Sequence, residues 1–278
     1  MELKDKLVDL SDQSELFRKM KLYYWRIKNC IPQAKIERGI RKRKKGKLNN
    51  NYIKMKEYQN IHRGQRCFII AMGPSLTLSD LEMLKHEITF GMNSIVKVFK
   101  QTEWRPTYYG IQDRQVYEKL EETILSNFSD QSKVFVADEL AHIFNIPNYF
   151  CKFPYNGNYH IYVGDYNDYS AKFSDNAYEV VYDGYSITYS LIQIAVYMGF
   201  TEIYLLGADS TYGQGENNHF VESGFVDKNA YTSFNRLMTG YEKAKEYADV
   251  HDIKIYNATR GGALEIYPRV NLEEIIIQ

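Results

Sequence analysis

The sequence predicts an α/β fold, a mostly parallel sheet with helices on both faces, and three observations predict it. Short apolar runs of four or five residues recur along the chain and end in Gly, Pro, Asn or Asp. Segments with apolar residues at helical spacing stand between them. The alternation continues from residue 67 to residue 256 with no internal repeat. Buried strands separated by helices are what a parallel sheet requires, because each crossover must return over a face of the sheet.

Taken in order, Cys67-Phe68-Ile69-Ile70-Ala71 is apolar and closed by Gly73-Pro74, the pattern of a strand buried on both sides. Leu78 to Lys85 reads as a helix with Thr77 or Ser79 as its cap. Strands follow at Ile88–Met92 and Thr107–Ile111, a helix at Val116–Phe128 and a strand at Lys133–Val136. Residues 145–180, rich in Tyr, Asn and Asp, read as an irregular lid or insertion. Ser186–Met198 is a strongly apolar helix, Glu202–Leu206 a buried strand, Asp227–Val250 a long helix and Ile253–Tyr256 the last strand. Ahead of all these, residues 1–30 read as a helix carrying Leu7, Leu10, Leu16, Phe17 and Met20, and residues 41–60 as a basic, then Asn-rich linker. The expected organisation is an amino-terminal arm over 1–60 and one Rossmann-like domain over 65–278.

Composition narrows the function classes. Apolar residues make up 44%, enough for a proper core. Tyrosine is abundant, 25 against 14 Phe and 2 Trp; it lines polar clefts well, although drift in a genome poor in G and C gives the same bias. Cys30, Cys67 and Cys151 are far apart and odd in number, which argues against a disulfide framework or a structural zinc site and fits a reducing cytoplasm. Met1-Glu2-Leu3-Lys4-Asp5 does not open a signal peptide. No apolar stretch approaches the roughly 18 residues that span a bilayer.

Net charge is zero but segregated. From Lys19 to Lys56 there are fourteen Lys or Arg and one acid, Glu37. Basic residues beside Tyr23, Tyr24 and Trp25 suit an anionic membrane surface contacted through residues 19–56, at the inner face of the cell membrane. A solvated linker, or an arm that pairs copies into a homo-oligomer, is the alternative. Nucleic acid is not expected as a partner.

In parallel sheets ligands sit beyond the carboxyl ends of the strands, near a reversal of strand order. After the first strand, Gly73 allows a tight turn and Ser75 offers a hydroxyl beside a helix start. After the second, Asn93 carries a donor and an acceptor. After the third come Gln112 and Asp113; a carboxylate there can hold ribose hydroxyls or a metal, or cap the next helix. Ser186 and Thr188 open the apolar helix beside free amides, and Asp209 follows the Glu202–Leu206 strand, with Tyr212 beyond it. His219, in a polar loop, is a natural general base. Arg260, among small residues after the last strand, suits a phosphate or a sugar carboxylate. For each residue, capping or plain solvation is the alternative.

Together these segments resemble the MptE-like family: the Gly73-Pro74-Ser75-Leu76 turn, Phe90-Gly91-Met92-Asn93-Ser94, Trp104-Arg105-Pro106-Thr107-Tyr108-Tyr109 with Gln112-Asp113, Leu206-Gly207-Ala208-Asp209, and Asn257-Ala258-Thr259-Arg260-Gly261-Gly262. That family contains archaeal 6-hydroxymethylpterin diphosphokinases and bacterial proteins of surface-polysaccharide and flagellin glycosylation. More distantly the layout is similar to bacterial sialyltransferases that use CMP-sialic acid. The resemblance covers about residues 65–270. It implies nucleotide contacts from Gly73, Ser75, Asn93, Gln112, Asp113, Ser186, Thr188 and Asp209, a leaving-phosphate contact from Tyr212, a base at His219 and a donor contact from Arg260. Ala71 and Met72 stand where the sialyltransferase pattern has Gly and Asn, so that Asn contact is missing.

The expected activity is transfer of a sialic-acid-like or Kdo-like sugar, with inversion, from a CMP-sugar donor to a glycan or lipid-linked acceptor in surface polysaccharide synthesis. No cofactor or metal is expected to be required, because hydrogen-bond donors can carry the charge of one departing phosphate. The alternatives are a diphosphokinase using Mg²⁺ at Asp113 and Asp209, and a non-catalytic nucleotide-binding scaffold.

Overall fold

A computed structural model of the chain describes residues 15–129, 133–162, 169–211, 220–221 and 230–277. Its centre is a seven-stranded sheet in the order β5-β4-β3-β2-β1-β8-β9, with every pairing parallel. The strands are β1 Arg66–Ile70, β2 Thr89–Met92, β3 Tyr108–Ile111, β4 Val134–Ala137, β5 Cys151–Phe153, β8 Glu202–Leu206 and β9 Lys254–Asn257; β6 Tyr155–Asn156 and β7 Val181–Tyr182 form a separate parallel pair. The helices are α1 Glu15–Lys44, α2 Leu78–Met83, α3 Arg114–Asn127, α4 Ile187–Tyr197, α5 Ala230–Val250 and α6 Leu272–Ile277.

The apolar strand runs form this sheet because both of its faces are covered. Gly110 and Tyr109 are successive residues of β3 and point to opposite sides. Leu191 of α4 lies against Gly110, while Phe128 at the end of α3 packs its ring 4.7 Å from Tyr109. Across the register of β1, β8 and β9, Phe68, Tyr204 and Tyr256 stack side by side at 4.9 and 5.1 Å. The predicted α/β fold and the central strands are therefore present. Thr77 caps α2 in a reciprocal box with Asp80.

Three segments differ from the expectation. The basic run Arg41–Lys44 is not linker but the last turn of α1, which continues from Glu15 through Pro32; Lys and Arg are good helix formers, and Arg41, Lys42 and Lys44 are exposed while Arg43 is buried. Residues 50–58 are a 3-10 turn capped by Asn49, and its Met55 is fully buried with its sulfur 3.2 Å from Cys151 Sγ. Within 145–180 the chain supplies the three-residue edge strand β5, which extends the sheet, and β6, which pairs with β7 apart from it.

Candidate functional site

Strand order reverses between β1 and β8: β2 to β5 extend to one side, β8 and β9 to the other. Such a reversal marks the ligand edge of a parallel sheet, beyond the carboxyl ends of the strands. A cavity of ≈ 390 Å³ lies there, lined from the loops after β1, β2, β3 and β8, from the start of α4 and from Arg236, Leu237 and Tyr241 within α5.

The Gly73 turn and Asp209 are built as one unit. Gly73 N donates to Gly207 O at 2.7 Å. Ser75 N donates to Asp209 Oδ1 at 3.2 Å, and Ser75 Oγ to Oδ2 at 2.7 Å. Gly73 and Asp209 line the cavity, whereas Ser75 does not. The Ser75 hydroxyl is thus engaged in holding Asp209, a role different from the expected nucleotide contact. Burial pushes the Asp209 carboxyl up, and the Ser75 bonds pull it down.

Behind Asp209, the loop after β9 acts as a buttress. Thr259 Oγ1 accepts from Ala208 N at 2.9 Å, and Ala263 N donates to Asp209 O at 2.7 Å. Arg269 binds the carbonyls of Thr259, Gly261 and Gly262 at 3.0, 2.6 and 3.2 Å. Arg260 points away from the cavity. Its guanidinium pairs with the fully buried Asp80 at 2.6 Å and with Glu273 at 2.6 Å. In this structure Arg260, expected to meet a phosphate or sugar carboxylate, is engaged in these two ion pairs and is not among the lining residues.

Asn93 sits at φ +48, in the left-handed region, and Tyr109 Oη donates to its carbonyl at 2.7 Å. Its side-chain oxygen is buried, without a partner, and the residue lines the cavity. A buried acceptor without a donor is costly, and a ligand carrying an N–H or O–H would supply one. Asp113 and Ser186 also line the cavity while capping α3 and α4, accepting from Val116 N at 2.9 Å and Tyr189 N at 3.2 Å. Both functions expected of them, capping and facing the crevice, coexist. Gln112 and Thr188 face the cavity too; Gln112 Oε1 accepts from Ser190 Oγ at 2.7 Å.

Tyr212 and His219 lie outside the described residues. The residues that follow His219 are anchored at the crevice: Phe220 N donates to Met72 O at 2.7 Å and Ser94 Oγ to Val221 O at 2.5 Å.

The structure adds a second wall. Asp183, Tyr155, Tyr185 and Arg236 also line the cavity. Asp183 Oδ1 accepts from Tyr185 N at 3.0 Å, and Oδ2 lies 3.1 Å from His160 Nε2. His160 stacks on the Tyr185 ring at 4.1 Å, and the Arg236 guanidinium lies 6.0 Å from the same ring. Burial pushes the Tyr155 and Tyr185 hydroxyls well above their usual range, so both remain neutral donors. Among the described lining residues, Arg236 is the one basic side chain. Asp183 directly follows β7 and lies three residues before Ser186, the cap of α4. Arg236 falls within a long helix and carries no local signal.

A family model described as 6-hydroxymethylpterin diphosphokinase MptE-like matches residues 44–215. No curated protein sequence matches the chain. Among solved structures, the MAf glycosyltransferase from Magnetospirillum magneticum AMB-1 is similar at TM-score 0.45 and 14% identity, over 80% of this chain and 38% of its own. The sialyltransferase CstII from Campylobacter jejuni, solved with cytidine-5'-monophosphate, is similar at TM-score 0.46 and 13% identity, over 75% of this chain and 85% of its own. The chain thus spans well under half the length of the first of these.

Proposed function

From the premise that this chain belongs to the 6-hydroxymethylpterin diphosphokinase MptE-like family, we propose that it is a transferase acting on a nucleotide-activated substrate, and that the substrate is a CMP-linked acidic sugar. One observation carries the reading: the buried, unpartnered oxygen of Asn93 at the switch-point cavity. The amino group of cytosine, or a ribose hydroxyl, is the kind of donor this oxygen lacks. Asp113 and Gln112 stand beside it for the remaining polar edges of the nucleoside. For the phosphate and the sugar carboxylate the described lining offers one cation, Arg236, beside the three carboxylates Asp113, Asp183 and Asp209. Arg236 takes the anion-binding role first given to Arg260.

In this reaction an acceptor hydroxyl oxygen attacks the anomeric carbon of the donor sugar. The bond from that carbon to the phosphate oxygen breaks, and CMP leaves with the bonding pair. Attack from the face opposite the leaving group inverts the centre. The acceptor proton passes to His219, and Tyr212 donates a hydrogen bond to the departing phosphate. The neutral hydroxyls of Tyr155 and Tyr185 are further donors at the cavity. The acceptor is a glycan or lipid-linked sugar.

A second reading, Mg²⁺-dependent diphosphoryl transfer to a pterin-like alcohol, is favoured by the family's description. It would need Asp113 and Asp209 as metal ligands, with Asp209 binding the ion through lone pairs not engaged by Ser75. The deciding assay follows CMP release from CMP-sugars with a glycan acceptor and a chelator present. Turnover that His219→Ala abolishes while CMP still binds supports sugar transfer. Turnover only with ATP and Mg²⁺ supports the second reading, and CMP binding without turnover of any donor supports a scaffold.

A further inference from the structure

α1 meets the body of the protein through one stripe. Asn158 Nδ2 donates to Gln33 Oε1 at 3.3 Å, Ile40 is 3% exposed, and the largely buried Arg43 donates from Nε to Glu179 O at 2.8 Å. Ile31 lies nine residues from Ile40, two and a half helical turns, and so on the opposite side. It is 66% exposed.

That outward side has an ordered content. Phe17, Met20, Tyr24, Ile27 and Ile31 alternate at spacings of three and four and are all exposed. Past Pro32 the same row continues as Lys35, Arg38 and Lys42, also exposed. One face of one helix is therefore apolar and aromatic in its first half and basic in its second.

The charge selects the occupant. α1 carries eleven Lys or Arg and two Glu. Glu15 pairs with Lys19 at 2.5 Å, and Glu37 accepts from Gln33 at 2.9 Å. A second copy seated in parallel on this row would set Lys35, Arg38 and Lys42 against their own counterparts, like charge on like charge. An antiparallel copy would leave the same excess of bases unneutralised. A surface that is apolar below and anionic at its rim complements both halves at once. No helix among the described residues is long and apolar enough to cross a membrane, so the fitting geometry is a helix lying in the interface.

We infer that the outward face of α1 docks on an anionic phospholipid surface, with Phe17, Met20, Tyr24, Ile27 and Ile31 entering the interface and Lys35, Arg38 and Lys42 meeting headgroup phosphates. This rests on α1 alone and does not depend on the nucleotide reading.

The test is co-sedimentation of the full chain with vesicles of phosphatidylcholine, with and without phosphatidylglycerol. The wild type binds the anionic vesicles and not the neutral ones. The triple variant Lys35→Glu, Arg38→Glu, Lys42→Glu weakens binding by at least about 100-fold, the loss of three near-surface positive charges alone. Tyr24→Ser, Ile27→Ser, Ile31→Ser weakens it by at least about tenfold, and both variants keep the wild-type melting curve. Equal binding to neutral vesicles, no binding, or binding unchanged in the triple variants overturns the inference. A dimer in solution that the serine triple dissociates, without vesicle binding, would make a second copy the occupant.

Discussion

A Cβ placed on Gly73 would lie 1.9 Å from Asp209 Oδ2 and 2.5 Å from Gly207 O. The turn after β1 and the turn after β8 are therefore in contact without space for any side chain between them. Gly73→Ala must displace the Asp209 carboxylate or the backbone beside it. We expect a stability loss of about 1–3 kcal/mol in urea unfolding and a nucleotide affinity reduced by more than about tenfold. Unchanged stability and affinity would show that the two turns separate freely.

Asp209 titrates above the usual carboxylate range because it is buried, against the pull of Ser75. The folded state then holds its proton to higher pH than the unfolded chain. Its contribution to stability is greatest below the unfolded pKa, falls as pH rises through the folded pKa, and is level above it. Asp209→Asn cannot ionise. Urea midpoints compared between about pH 4 and pH 8 should show the wild type losing ground to the variant as pH rises. A gap that stays constant, or moves in the wild type's favour, contradicts this account.

Arg260 and Arg236 separate structure from binding. Arg260→Ala leaves Asp80, which is 0% exposed, without its cation, and should lower stability by roughly 1–3 kcal/mol while CMP affinity stays within about twofold. Arg236→Ala should do the opposite, weakening binding of the intact donor by at least about tenfold. Calorimetric titration of both variants reads the contrast, and equal losses of affinity would return Arg260 to the site.

Much of this was legible in the sequence, for definite reasons. Cys67–Ala71 and Glu202–Leu206 are apolar on both faces, so they could only be central strands, and they pair with each other as β1 and β8. Asn93, Asp113 and Asp209 stood out because polar residues directly after such strands are placed at the ligand edge. β5 was hidden because it has three residues within a Tyr- and Asn-rich stretch and takes its place by pairing with β4. Ser75 and Arg260 were read as ligand contacts because their chemistry fits; their partners Asp209 and Asp80 lie 134 and 180 residues away. Arg236 reaches the crevice through the packing of α5 beside α4, which no local pattern encodes.

Asn93 gives a clean substitution, because glycine tolerates φ +48 better than any other residue. Asn93→Gly removes the unpartnered oxygen without straining the turn. CMP affinity should fall by about tenfold, the worth of one hydrogen bond to a buried group, with the melting temperature of the free protein unchanged or raised. Unaltered affinity would mean that the nucleotide does not reach Asn93.

The most direct measurement of the central claim is calorimetric titration of the intact chain with CMP in the presence of a chelator, beside titration with ATP and Mg²⁺. A metal-independent nucleotide site for a CMP-linked donor predicts that CMP binds saturably and more tightly than ATP with Mg²⁺. Tighter binding of ATP with Mg²⁺, and none of CMP, would contradict it.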